Sequence, residues 1–259
     1  MTLSWRRLHS IDELGFSAVL SDLDGVVYRG EAAVPGAVER FNRWQSDGIA
    51  YCFVTNNAEK QAEAFADKIR RLGIACTADQ VVTSGDVAID HVRSHYPPGS
   101  GIYVIGTQSL KDRVAQAGFE LVESGAVAVL VALDRSFNYA MMTTALRNVL
   151  NGAHLIGTNP DLIRPLAEGF EPGAGAITQS IAAASGATPL FMGKPDPTIL
   201  RVALGRLRVH ARDAIMIGDK LDTDILAGQR AGITSVAMET GVPLDRHSDI
   251  APQYILARL

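Results

Sequence analysis

Residues 17–27 read SAVLSDLDGVV, an apolar, strand-like run that ends in two carboxylates, Asp22 and Asp24, followed by Gly25. Side chains two apart on an extended backbone point the same way, so both acids can address one site. In an open α/β sheet, ligands bind beyond the carboxyl ends of the strands, and a glycine there lets backbone N–H groups approach an anion. The same acids would also serve as plain strand-end caps or turn formers. A calcium loop is excluded, because Val26 and Val27 stand where an EF-hand needs an oxygen ligand and a glycine.

Outward from this stretch, apolar β-rich runs alternate with amphipathic segments along the chain, the pattern of a mostly parallel sheet joined by helices. Strands are expected at 18–21, 49–54, 81–82, 102–105, 126–133, 154–156, 214–217 and 234–237. Helices are expected at 35–45, 58–72, 86–93, 109–117, 139–150, from the turn-rich 168–175 to about 184, and at 198–207 and 223–230. GIAYCFVTN at 48–56 and GAHLIGTN at 152–159 echo each other weakly, as two polar-capped strand ends would by chance.

The 259 residues suit one large α/β domain or a core carrying a smaller one. Hydrophobic residues at 47% and charged residues at 20% describe an ordered globular chain. A net charge of −4 without like-charge runs does not suggest nucleic-acid or anionic-membrane partners. The longest apolar run, GAVAVLVAL at 125–133, is about half the ~20 residues a membrane-crossing helix needs. The N-terminus lacks the apolar segment of a secretory signal, and two cysteines give neither a disulfide framework nor metal-ligand spacing, so a cytoplasmic location is expected.

A second acidic cluster, IMIGDKLDTD at 215–224, ends another expected strand. Alone it reads as a helix start. If its strand neighbours the first, several carboxylates converge and repel unless a cation neutralises them, and Mg2+ is the simplest such ion. Thr55, Asn56 and Asn57 end the strand at 49–54, and Lys194 lies in FMGKPDP; separately they read as a helix cap and a solvated lysine. Nucleotide motifs fail, since Thr178 stands where G-x-G-x-x-G needs glycine and Pro195 follows Gly193 and Lys194 where a P-loop needs Ser or Thr.

The ordered set DLDGV at 22–26, TNN at 55–57, GKPDP at 193–197 and GDKLDTD at 218–224 resembles the haloacid dehalogenase superfamily of phosphohydrolases. VALDRSFNY at 131–139, GTNPD at 157–161 and EPGAGA at 171–176 are similar to the cap of its subclass IIA, which contains nitrophenyl and phosphoglycolate phosphatases. Only 30 residues separate Asp24 from Thr55, too few for a large cap, whereas the interval to Lys194 holds several βα units. The expected architecture is therefore α/β: a Rossmann-like parallel-sheet core at 1–85 plus 187–259, with an inserted α/β cap at 86–186.

The resemblance implies a Mg2+-dependent phosphatase of small-molecule phosphate monoesters, working through an aspartyl-phosphate. Asp22 would be the nucleophile and Asp24 the acid and base. Asp22, Asp219 and the Asp24 carbonyl would ligate the metal, with Asp224 ordering its waters. Thr55, Asn56 and Lys194 would hold the phosphoryl group. Asn159, Asp161 and Arg135 are candidates for substrate selection, although a solvated side chain is the simpler reading of Arg135. Asp24 argues against a dehalogenase, which needs no leaving-group acid, and the cap position argues against a phosphomutase. A non-catalytic Mg2+- and phosphoester-binding protein on the same fold is the alternative. The expected partner is a small phosphate ester, not nucleic acid or membrane; a homo-oligomer is compatible with the sequence, which does not specify it.

Overall fold

The structure is a computed structural model and describes residues 5–165, 169–245 and 247–259. Residues 1–4, the start of the N-terminal stretch, and residue 168 of the turn-rich segment lie outside the described residues. The chain divides into two compact units: Met1–Thr55, Ala62–Val82 and Lys194–Leu259 form the first, Asn56–Gln61 and Thr83–Gly193 the second.

The first unit is built on a seven-stranded sheet in the order Arg6–Arg7, Tyr254–Leu256, Thr234–Met238, Ala214–Gly218, Ala18–Ser21, Ala50–Thr55, Val81–Thr83. Its pairings from Arg6–Arg7 to Ala50–Thr55 are parallel. The central strands are buried along their whole length, as expected of a sheet covered on both faces, which explains their continuous rather than alternating apolar character. The helix Ala37–Ser46 buries Phe41 and Trp44. Phe41 meets Trp44, Tyr51 and Phe53 at ring separations of 5.0, 5.3 and 5.0 Å, contacts that contribute roughly 0.5–1.5 kcal/mol each beyond burial.

Ala18–Ser21 and Ala214–Gly218 are direct neighbours, in register from Ala18 with Ala214 to Ser21 with Ile217. The Asp22 N–H donates to the Ile217 carbonyl at 2.9 Å, so the pairing extends one residue past the strand. This adjacency brings the two acidic motifs to the same end of the sheet.

The second unit has a five-stranded parallel sheet in the order Leu190–Phe191, His154–Gly157, Ala128–Val131, Gly101–Ile105, Glu120–Leu121. The helices Ser84–His95, Gln108–Gln116, Tyr139–Leu150 and Ala174–Ser185 accompany it. Ile163–Pro165 and Phe170–Pro172 form an antiparallel hairpin. That hairpin, another at Tyr28–Arg29 and Ala32–Ala33, and the strands Leu190–Phe191 and Tyr254–Leu256 are too short to leave a periodic trace in the sequence. Among the described residues, no helix is long and apolar enough to cross a membrane.

Two boundaries differ from the sequence expectation for visible reasons. The helix expected from residue 58 begins at Ala62, because the preceding backbone is bonded within the second unit: Ala58 O accepts from Arg113 and Glu59 O from the Thr107 hydroxyl. The helix expected from 86 begins at Ser84, because Thr83 and Asp86 form a capping box in which the Thr83 hydroxyl accepts the Asp86 N–H and the Asp86 carboxylate returns to Thr83.

Candidate active site

Strand ends supply the acids. Asp22 follows Ala18–Ser21, and Asp219 follows Ala214–Gly218. Asp224 lies in the π-helical turn Leu221–Ile225, where a plain α-helix was expected from 223. Its Oδ2 accepts the N–H groups of Asp219 and Lys220, both at 3.1 Å, which folds the turn back on the strand end. Asp22, Asp219 and Asp224 then offer oxygens within 4.8 Å of one another.

Lys194 enters this cluster from just before the helix Thr198–Leu207, with only 2% of its side chain exposed. Its Nζ donates to Asp22 Oδ1 at 2.5 Å and to the Val54 carbonyl at 3.1 Å, and it ion-pairs with Asp224 Oδ1 at 2.7 Å. Burial alone would lower the lysine's pKa, but the Asp22 and Asp224 charges outweigh it and hold the ammonium above its usual value. The charge sum is three carboxylates against one ammonium, a residual of two negative charges in a poorly hydrated site.

That residual registers on the acids. Burial lifts the Asp22 carboxyl well above the usual range; Lys194 opposes the shift, and Asp224 and Asp219 add to it. Asp219 is pushed up to about 6, by burial first and Asp224 second, despite the bond its Oδ2 accepts from the Val242 N–H at 2.9 Å. Its other oxygen, Oδ1, is buried without a hydrogen-bond partner. Three clustered carboxylates, one with an orphaned oxygen, fit a hard divalent cation that takes oxygen ligands.

Asp24 is exposed on the turn that Gly25 closes through its N–H to the Tyr28 carbonyl, 2.8 Å away. Gly25 has φ +81°, and a Cβ there would overlap the Asp219 carboxylate, so this turn admits no larger residue. Thr55 is buried at the end of Ala50–Thr55, in the first unit.

The remaining sequence candidates gather in the second unit. Asn56 O accepts from the Asn159 side chain at 2.7 Å and the Ser84 hydroxyl at 2.6 Å, and Asn56 Nδ2 donates to Asp161 at 3.1 Å. Asn159 also braces Asp161 by accepting its N–H. Arg135 is half exposed and also held in a network: it donates to both Glu171 oxygens at 3.0 and 2.7 Å and to Glu59 Oε1 at 2.5 Å, while Arg164 bonds the other Glu59 oxygen. Ser84, Glu59, Arg164, Glu171 and the Val242 amide escaped the sequence reading. The capping box T-S-G-D at 83–86 was the one available signal, and it marks Ser84 only as a helix start.

A parallel α/β core whose strand ends present clustered acids and a buried lysine defines a protein for metal-assisted chemistry at a carboxylate. The family described as haloacid dehalogenase-like hydrolase matches residues 19–120, and a second of the same kind, HAD-hydrolase-like, matches 191–259. An acid sugar phosphatase of Staphylococcus saprophyticus is 36% identical over 88% of each chain. A thermostable NPPase double mutant of Geobacillus stearothermophilus superimposes with a TM-score of 0.88 at 36% identity, covering 94% of this chain and 96% of that one. A glycerol phosphate phosphatase of Mycobacterium tuberculosis in complex with magnesium gives 0.83 at 31%, over 93% and 74%. The chain belongs to the haloacid dehalogenase-like hydrolases, in subclass IIA.

Proposed function

We propose that Asp22 is the nucleophile of a Mg2+-dependent phosphatase that hydrolyses small-molecule phosphate monoesters. The observation that carries this is the buried cluster itself: one lysine cannot balance Asp22, Asp219 and Asp224, and the two charges left over match one divalent cation. Uncatalysed monoester hydrolysis leaves up to roughly 10²¹-fold for an enzyme to supply, mostly by offsetting negative charge at the reacting oxygens.

Asp22 attacks phosphorus and displaces the alcohol, forming an acyl phosphate. Asp24, exposed on its turn, gives the departing alkoxide a proton and then takes one from the water that attacks the same phosphorus, which frees Asp22 and phosphate. Lys194 holds the attacking carboxylate in place and offsets its charge against the incoming phosphate. Mg2+, held by Asp22, Asp219 and the Asp24 carbonyl with Asp224 beside them, would supply further charge neutralisation when bound. The Thr55 hydroxyl and the backbone amide of Asn56 hold the phosphoryl oxygens.

The second unit is read as the substrate-selecting cap, with Asn159 and Asp161 as selectors. Arg135 is assigned to bracing the 56–61 segment through Glu59, since Glu59 and Glu171 already occupy its guanidinium. Sugar phosphates, phosphoglycolate, glycerol phosphate, nucleotides and p-nitrophenyl phosphate make up the substrate class; acid sugar, p-nitrophenyl and glycerol phosphate phosphatases among the relatives support it. The net charge of −4 supports small esters rather than nucleic acid or anionic membrane as partners, and two buried free cysteines accord with work in the cytoplasm. The exposed Leu162, Ile163 and Phe170 of the hairpin region are compatible with a homo-oligomer. Phosphate release from p-nitrophenyl phosphate, with and without EDTA, tests the core of the proposal. Release that stops with chelator and returns with Mg2+ is expected; no metal-dependent release from any ester of the panel would favour a non-catalytic binder.

A further inference from the structure

Asp219 is gripped from two sides by backbone. On one side lies the turn that follows Asp24, where a Cβ on Gly25 would overlap the Asp219 carboxylate. On the other lies the loop after the strand Thr234–Met238, where a Cβ on Gly241 would overlap the same carboxylate and the Val242 N–H bonds its Oδ2. The two backbones approach so closely that a Gly25 Cβ would lie 2.9 Å from Gly241 Cα. A dehydrated carboxylate in such a slot has one oxygen satisfied by an amide, and the other needs a cation.

Among the described residues, Thr240 is a side chain that joins the two walls. Its hydroxyl donates to the Gly25 carbonyl at 2.7 Å, and Arg29, from the adjacent hairpin, adds a bond to the Gly241 carbonyl at 3.1 Å. We propose that Thr240 is a positioning residue for the cation site. Its hydroxyl holds the turn carrying Asp24 and Gly25 against the 240–242 loop, and so keeps Asp219 with Oδ2 on the Val242 amide and Oδ1 left to take a cation. The same bond fixes the backbone beside the Asp24 carbonyl, a proposed ligand. This rests on the reading of Asp219 as a cation ligand. A lost hydroxyl releases the turn, so metal affinity suffers first, and the chemical step suffers only as far as the metal is missing.

The test is Mg2+ binding by calorimetry on the full chain, alongside thermal unfolding in EDTA and steady-state kinetics. Thr240→Val keeps the shape and removes the donor; its dissociation constant for Mg2+ is expected to rise about tenfold, the scale of one net hydrogen bond, while Thr240→Ser stays within about twofold of the parent. At saturating Mg2+ the kcat of Thr240→Val returns to within about threefold of the parent, as loss of binding rather than of chemistry requires. Unchanged Mg2+ affinity in Thr240→Val, or equal weakening in Val and Ser variants, overturns the inference. So does a lower Tm in EDTA with intact Mg2+ affinity, which would mark a merely structural bond. A parent chain that binds no Mg2+, or an Asp219→Asn variant that binds it normally, overturns the cation reading itself and the inference with it.

Discussion

Two charged clusters, one in each unit, are built on opposite principles. Asp22, Asp219, Asp224 and Lys194 are unequal in charge and largely withdrawn from water. Glu59, Glu171, Arg135 and Arg164 are two acids and two bases that neutralise each other, with the Arg135 side chain 54% exposed. In the first, burial drives acid pKa values up and leaves an oxygen without a partner. In the second, bonds to Glu171 and Glu59 stabilise the guanidinium, and the Glu171 carboxyl is held below its usual range by Arg135. A balanced surface network fastens chain segments at little energetic cost, whereas an unbalanced buried one costs stability, and such clusters are characteristic of functional sites.

The largest expected effect that separates them is at Asp22. Asp22→Asn preserves shape but removes the proposed nucleophile, so turnover of p-nitrophenyl phosphate should fall by about 10⁴-fold or more with substrate binding retained. Retained turnover would break the contrast at its root. Next comes Lys194→Met, which leaves the three acids facing each other. Turnover should drop by on the order of 10²–10³-fold, and the metal-free protein should lose roughly 3–5 kcal/mol in denaturant unfolding, part of it recovered with Mg2+.

Proton linkage gives the third. Burial, with Asp224 beside it, pushes the Asp219 carboxyl up to about 6, against 3.8 for the free side chain. A folded-state pKa above the unfolded one means that its contribution is present below about 3.8 and lost as pH rises through about 6, an amount on the order of 3 kcal/mol. The raised Asp22 pKa acts in the same direction. Mg2+ held by the charged carboxylates, as proposed, would reverse the loss, so the rise in Tm on adding Mg2+ should be small at pH 5 and large at pH 7.5. An equal rise at both would contradict the electrostatic account. Smallest is Arg135→Ala, which should change stability by under ~1 kcal/mol and leave phosphate release within about threefold, with substrate ratios unchanged. A shift in those ratios would return Arg135 to substrate selection.

The clusters also differ in how far the sequence reveals them. Asp22, Asp219 and Lys194 were legible because a parallel sheet sends strand ends to one edge, and acids that terminate apolar runs announce themselves there. The parallel core and most strands followed from the same alternation. Glu59 and Arg135 lie 76 residues apart with no periodic signal, so nothing local foretold that the half-exposed Arg135 would pair with Glu59. The helix start at Ala62 was misplaced for a related reason: bonds from Arg113 and Thr107 outcompete local helix propensity over 58–61. Asp219 itself was legible, but its bond from the Val242 amide was not, because backbone donors carry no sequence signature.

The central claim is that Asp22 carries the phosphoryl group, and trapping tests it most directly. Borohydride added during turnover with Mg2+ reduces an acyl phosphate to the alcohol, and peptide mass spectrometry then locates the change. The account predicts homoserine at position 22 and at no other acid. Homoserine at a different carboxylate, or steady turnover in Asp22→Asn, would contradict it.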